Sequence, residues 1–276
     1  MGDRDYCAAR VRDFDSDRYV TALFAPDSRR ADLLALYAFN LELGLSRETV
    51  TESALGRMRL QWWREAVGDC YAGNTRQHQV LQALAGAIER HGLPQHLFDR
   101  ILEAREMDFD ASRPDSLEQM VGYAEGTSGV LNMLAVQILG VRKQRLEQAA
   151  LRVGAAWALA GTLRGLRHLL LTGRQPLPRD RMKAHGLTDA ALRSLRRSDA
   201  LCSLTVDIAG LATNMLDQHR VAGARRAAPV LLQAVLARAY LKRLAETGHN
   251  PFDERNLHPL RHRAWRLMVP AITGRI

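Results

Sequence analysis

The sequence predicts an all-α protein, and three observations support this fold class. Apolar residues recur every three or four positions along most of the 276 residues, which places them on one face of a helix. No segment alternates apolar and polar residues for long enough to predict a β-strand. With 47% hydrophobic residues the chain can bury a large core, and no linker divides it. We therefore expect one helical domain over residues 1–276.

The first helices have well-marked boundaries. Residues 29–45 are apolar around most of a helical circumference, so this helix is expected in the core. A second helix spans 51–70, with Thr51 in the position of an N-cap. A third spans 80–91 and ends at Gly92, because glycine adopts the left-handed conformation that closes a helix.

Shorter helices are predicted over 97–110, 117–123 and 130–139, and the Gly-Thr-Ser-Gly run at 126–129 is expected to separate the last two. A long apolar helix follows over 146–171.

The region after this helix begins with a loop at 172–178, which contains a glycine and two prolines. The remaining predicted helices are a short one capped by Thr188 and two longer ones over 201–221 and 230–244.

The chain is strongly basic, with a net charge of +9 and a pI near 10.1, and only three of its 39 basic residues are lysines. Arginine on this scale attracts anions, so an acidic protein partner or an anionic membrane surface is expected. Arginine is also enriched in proteins from GC-rich genomes. The alternative is therefore a solvated basic surface that binds no partner. The arginines are spread along the helices with acidic residues interleaved, and only 193–197 stands apart as a basic block, so we expect no nucleic-acid binding.

Cysteine usage and hydropathy indicate the compartment. Cys7, Cys70 and Cys202 are far apart and form no CxxC pair, which favours a reducing environment. The N-terminus is charged from the start, and the longest nearly apolar stretch, 131–141, is about half of the ~20 residues that a spanning helix needs. We expect a cytoplasmic protein whose membrane contact, if any, is peripheral.

Five motifs, in this order, resemble the squalene/phytoene synthase family. They are LALYAFN at 34–40, MRLQWWR at 58–64, Tyr123 with the 126–129 turn, the Leu163-Arg164 pair, and LPRD at 177–180. The resemblance covers about residues 15–270 and implies a single isoprenoid-synthase-like helical bundle.

Enzymes of that family ionise an allylic diphosphate with magnesium ions held by two aspartate-rich clusters, because Mg²⁺ prefers carboxylate oxygens. In the family register, the first cluster falls on Gly44, Leu45 and Glu48, so two of its three carboxylates are absent. The second falls on Gly165, His168 and Leu169.

No Asp or Glu occurs anywhere from 149 to 179, so a small shift in register does not restore the second cluster. The resemblance therefore implies no catalytic residues, no metal ligands and no cofactor. The alternative is an active prenyl-transferase that condenses isoprenoid diphosphates at a divergent Mg²⁺ site.

One branch of the family shows the same double loss, namely the complex I assembly factors of mitochondria and alphaproteobacteria. The blocks AFNLEL at 38–43, TVTE at 49–52 and YAEGT at 123–127 are similar to that branch. This implies a non-catalytic role in assembling respiratory NADH dehydrogenase, with complex I subunits or assembly factors as partners. It also implies a place on the inner membrane, on the matrix side if the protein is mitochondrial.

The resemblance further implies a vestigial cavity that can hold an isoprenoid, near Tyr37, Phe39, Asn40, Tyr123 and Arg164. The first two and Tyr123 are expected close together. Arg164 is expected either to bind an anion or to form a structural salt bridge.

Two other groups of polar residues are candidates for a metal site. The run 103–110 holds four acidic residues, but Arg105 lies among them and Arg100 just before them, which favours a solvated, ion-paired face. His258 and His262 have the i, i+4 spacing of zinc ligands, but Pro259 lies between them and no third ligand follows.

Overall fold

The structure is a computed structural model that describes residues 2–48, 53–110, 113–218, 224–274 and 276, without the side chains of 47 and 48. The described residues form sixteen α-helices and contain no β-strand. The all-α prediction is therefore confirmed. The predicted cap at Thr51 and the block at 49–52 lie outside the described residues.

The helices follow one another with short connections. They are α1 (Asp3–Phe14), α2 (Ser16–Ala22), α3 (Asp27–Glu48), α4 (Ser53–Tyr71), α5 (Gln79–His91), α6 (Gln95–Arg105), α7 (Leu117–Ala124), α8 (Val130–Ile138), α9 (Gln144–Arg164), α10 (Leu166–Leu171), α11 (Arg179–Ala184), α12 (Asp189–Arg193), α13 (Asp199–Gln218), α14 (Ala228–Leu231), α15 (Gln233–Glu246) and α16 (Arg263–Thr273).

Two long helices organise the core. Helix α9 packs against α8, α13 and α15, and α3 packs against α1, α5 and α8. Buried apolar residues form one contiguous cluster that extends from Cys7 in α1 to Leu267 in α16. This continuity supports the prediction of one domain. Within the described ranges, no helix combines the length and the apolar content needed to cross a bilayer.

The 126–129 run does not separate two helices as predicted. A π-helical turn, Glu125–Gly129, joins α7 to α8 with helical backbone angles at both ends. Its glycines serve close packing, because a Cβ on Gly129 would lie 2.9 Å from the carbonyl oxygen of Leu151 in α9. The turn can therefore pack directly on α9.

The predicted helix over 146–171 is bent. Gly165 has φ −90° and ψ 6°, outside the helical range, and it separates α9 from α10. Two predicted helix ends are confirmed: Gly92 has φ 55°, and the Thr188 hydroxyl accepts a hydrogen bond from the Ala191 amide.

Candidate functional site

A cavity of about 570 Å³ lies between α7, α9, α10, the 3₁₀ turn Glu106–Phe109 and the loop at 173–176. Its apolar wall includes Met107, Met120, Leu159 and Leu169. Gly161 leaves space on the α9 wall, because a Cβ added there would meet nothing within 4 Å. A cavity of this size can hold a small apolar molecule.

One end of the cavity is polar and internally paired. Tyr123 donates a hydrogen bond of 2.7 Å to Asp108, and both residues line the cavity. Arg105 donates to Asp108 at 3.1 Å, to the Tyr123 hydroxyl at 3.2 Å and to the Asn40 amide oxygen at 3.1 Å. The Asp108 carboxylate is thus held by protein groups.

Burial tunes this network electrostatically. Burial raises the pKa of Tyr123 well above its usual range, so the phenol stays protonated and can donate to Asp108. Burial disfavours the charged form of Arg105, but Tyr123 and Asp108 outweigh burial and raise its pKa. The Arg105 guanidinium therefore stays charged at any physiological pH, although it is buried.

The three residues of the second degenerate cluster, Gly165, His168 and Leu169, all line the cavity. Gly44 and Leu45 of the first cluster lie half-buried on α3 and are not among the described lining residues, and the Glu48 side chain lies outside the description. Glycine and leucine offer no side-chain ligand and imidazole is a poor one for Mg²⁺, so this wall does not fit the metal.

Of the carboxylates in the described lining, Asp108 is paired as above, and Asp110 lies 3.5 Å from Arg57. No group of three or more His, Cys, Asp or Glu side chains suited to a metal occurs in the part of the chain that the structure describes.

Tyr37 and Phe39 do not line this cavity, a correction to the expected cluster with Tyr123. Two residues apart on a helix, their side chains diverge by about 200°. Tyr37 accepts a hydrogen bond of 3.3 Å from Gln233, whereas Phe39 packs edge-on against Trp63 with ring centroids 5.6 Å apart. Of the five expected cavity residues, only Tyr123 lies in the described lining, and Asn40 is linked to it through Arg105.

Arg164 forms the structural salt bridge that was one of its two expected roles. Its guanidinium lies 3.1 Å from Asp17, which also pairs with Arg263 at 2.6 Å. Tyr240 donates to the same carboxylate at 2.8 Å, and the Arg164 guanidinium lies 4.1 Å from the centre of the Tyr240 ring. This cluster, which we call the Asp17 cluster, joins α2, α9, α15 and α16.

Burial alone would raise the pKa of Asp17, but the bonds from Arg263, Tyr240 and Arg164 outweigh burial and lower it. The sequence offered no signal for this cluster, because Asp17 is 147, 223 and 246 positions away from Arg164, Tyr240 and Arg263.

Neither of the other two candidate groups forms a metal site in the part of the chain that the structure describes. In the run 103–110, Glu106 pairs with Arg64 at 2.8 Å, as expected for an ion-paired face. Asp108 is not solvated as expected, because the 3₁₀ turn directs it inward. His258 and His262 both precede α16 and lie on no common helix.

The family profile described as squalene/phytoene synthase matches residues 11–267. Assembly factor 6 of NADH dehydrogenase (ubiquinone) complex I from Mus musculus is 30% identical over 255 residues, which is 91% of this chain and 76% of that protein. Phytoene synthase 3 from Zea mays is 24% identical over 200 residues, which is 70% of this chain and 46% of that protein.

Solved structures share the fold. Squalene synthase HpnC from Alicyclobacillus acidocaldarius superposes with a TM-score of 0.78 at 20% identity, over 90% of this chain and 95% of that one. A dehydrosqualene synthase solved with a ligand superposes with a TM-score of 0.84 at 18% identity, over 98% of this chain and 95% of that one. The expected isoprenoid-synthase-like bundle is therefore confirmed.

Proposed function

Because this chain belongs to the squalene/phytoene synthase family, we propose that it is a non-catalytic member that assists the assembly of respiratory NADH dehydrogenase. One observation carries the non-catalytic part: the cavity wall at the second cluster presents Gly165, His168 and Leu169. The assembly part is supported by 30% identity to the mouse complex I assembly factor over nearly the whole chain.

Departure of a diphosphate leaving group requires cations that neutralise the developing negative charge. In the described lining, Asp108 is already bonded to Arg105 and Tyr123, and Asp110 lies near Arg57. Binding Mg²⁺ through Asp108 would mean breaking these bonds, which makes ionisation of a diphosphate unfavourable.

The first test is biochemical. The purified protein is incubated with farnesyl or geranylgeranyl diphosphate and Mg²⁺, and released pyrophosphate is measured beside an active dehydrosqualene synthase. We expect no metal-dependent release. Turnover that disappears on changing Asp110→Asn but survives Asp115→Asn would instead establish an active prenyl-transferase. Asp115 is a matched control, since it is an exposed aspartate paired with Arg179 at 3.2 Å.

The second test is genetic. Deleting the gene should reduce assembled NADH dehydrogenase on native gels and reduce NADH oxidation by membranes. The wild-type gene and the Asp110→Asn variant should restore both equally, because an assembly role does not need a metal site. Normal NADH dehydrogenase in the deletion strain would refute the assembly role.

The partners and location follow from the same proposal. Complex I subunits or other assembly factors would meet this basic protein through acidic surfaces, at the inner membrane where NADH dehydrogenase is built. Chemical cross-linking in cells, followed by mass spectrometry, should identify them.

The retained cavity is proposed to hold an isoprenoid chain without reacting with it. Its apolar wall suits such a chain, and Gly161 keeps it open. Farnesol should raise the melting temperature of the wild type, whereas Gly161→Leu, which fills the space, should abolish the rise. An equal rise in both proteins would place the ligand elsewhere.

A further inference from the structure

Helix α16 presents apolar side chains to solvent as well as to the core. Leu267 is fully buried against the rest of the protein. On the opposite side, Trp265, Met268, Val269 and Ile272 are exposed by 72%, 40%, 68% and 66%. Their i, i+3, i+4 and i+7 spacing places them in one continuous stripe, which we call the outer face of α16.

The surroundings of the outer face are basic. From residue 255 to residue 276 the sequence contains no Asp or Glu. Arg261 and Arg266 are exposed at the N-terminal end of the helix. At its C-terminal end, Arg225 lies against Gly274. An apolar stripe that ends in cations is complementary to a surface that is anionic outside and apolar beneath.

The helix is held so that this stripe cannot turn inward. Arg263, in its first turn, bonds to Asp17 at 2.6 Å and to the Ser16 hydroxyl at 2.9 Å. Together with the buried Leu267, these bonds fix the rotation of the helix about its own axis. The exposure is therefore part of the folded state.

The size of the outer face argues against a second copy of this chain as its occupant. Eleven helical residues span about 16 Å, and a helix is about 10 Å wide, which gives roughly 160 Å². A stable protein interface needs about 800 Å² on each partner. Binding to a fluid layer of lipid headgroups requires no such minimum contact area, and tryptophan side chains are enriched in that layer.

We propose that the outer face of α16 attaches the protein to an anionic bilayer, with Trp265, Val269 and Ile272 in the headgroup region and the flanking arginines on lipid phosphates. This inference goes beyond the assembly role, and either can fail without the other.

The test is sedimentation of the full chain with vesicles of phosphatidylglycerol and phosphatidylcholine, or of phosphatidylcholine alone, at low and high salt. We expect binding to the anionic vesicles that weakens as salt rises. The variant W265S/V269S/I272S should bind at least a hundredfold more weakly, because it loses the apolar contact. The variant R261Q/R266Q should bind about thirtyfold more weakly.

Control variants remove the same kinds of side chain elsewhere on the surface, which tests whether their position on α16 matters. L55S/M58S removes two apolar residues of α4 that are 50% and 67% exposed, and R193Q/R196Q removes the same charge elsewhere. Both should bind as the wild type does. The proposal is overturned if the wild type ignores anionic vesicles or if the α16 variants bind them unchanged.

A last outcome concerns self-association. If the wild type is a dimer by analytical ultracentrifugation and W265S/V269S/I272S makes it monomeric without changing vesicle binding, the outer face joins two copies and the proposal is wrong.

Discussion

The Asp17 cluster predicts a specific stability defect in the variant Asp17→Asn. The substitution keeps the shape of the side chain but removes a charge whose side chain is only 7% exposed, and it leaves Arg263 and Arg164 without their carboxylate. Breaking a fully buried ion pair in this way costs about 3–5 kcal/mol. The two arginine side chains are 20% and 30% exposed, so solvent screens part of the loss.

We therefore expect the free energy of unfolding in urea at pH 7 to fall by about 2–3 kcal/mol, which lowers Tm by roughly 5 °C or more. The control Asp253→Asn removes a surface carboxylate paired with Arg255, whose side chain is 66% exposed. The free energy of unfolding of Asp253→Asn should fall several times less than that of Asp17→Asn.

The difference between wild type and Asp17→Asn should also depend on pH. The pKa of Asp17 is lowered below its ordinary 3.8, so its ionised form stabilises the fold at every pH above that value. This contribution is lost as pH falls from 3.8 through the folded-state pKa, where the protonated acid resembles asparagine. Unfolding measured from pH 7 to 3 should show a constant difference between the two proteins down to about pH 4 and a smaller one below pH 3.8. A pH-independent difference, or a defect no larger than that of Asp253→Asn, would refute the reasoning.

Three further predictions concern packing, reactivity and the cavity network. Gly154→Ala should lower the free energy of unfolding by about 2 kcal/mol, because the new Cβ would overlap a carbonyl of the π turn. Gly161→Ala on the same helix meets open space and should raise the free energy of unfolding by about 0.5–1 kcal/mol. Urea titrations of both variants test this. Cys7 is fully buried and burial raises its pKa to about 12, so in native protein it should react with a thiol reagent far more slowly than the half-buried Cys70, and peptide mapping after timed labelling should show the order. Tyr123→Phe removes the donor to Asp108 and should cost about 1–2 kcal/mol in the same titrations.

Much of the fold could be predicted from local pattern. The helical periodicity of α3 and α5, the left-handed Gly92 and the threonine cap of α12 all appear in the sequence, because each depends on residues a few positions apart. Helix α1 was not predicted, because only Cys7 and Val11 mark its buried face and charged residues occupy most of the rest.

The candidate site was less predictable, since it depends on distant contacts. Gly165 and Tyr123, which the family register singled out, both line the cavity, but the register gave no indication that Asp108 would turn inward on a 3₁₀ segment. The register also grouped Tyr37 with Phe39, although a helix directs those two side chains apart. No short-range pattern could report that Asp17 would meet Arg263, which is 246 positions away.

The number of residues in the π turn at Glu125–Gly129 matters as much as their identity, because this number sets the rotation of α8 relative to α7. An α-helix rotates by about 100° per residue, and a π turn accommodates one residue more than regular winding. Tyr123 before the turn bonds Asp108, while Asn132 after it bonds Gln233. Deleting one residue from the turn would keep both halves helical but rotate α8 against α7 by that angle, so the two bonds could no longer form together. The extra residue thus acts as an angular spacer between the cavity and the centre of the bundle.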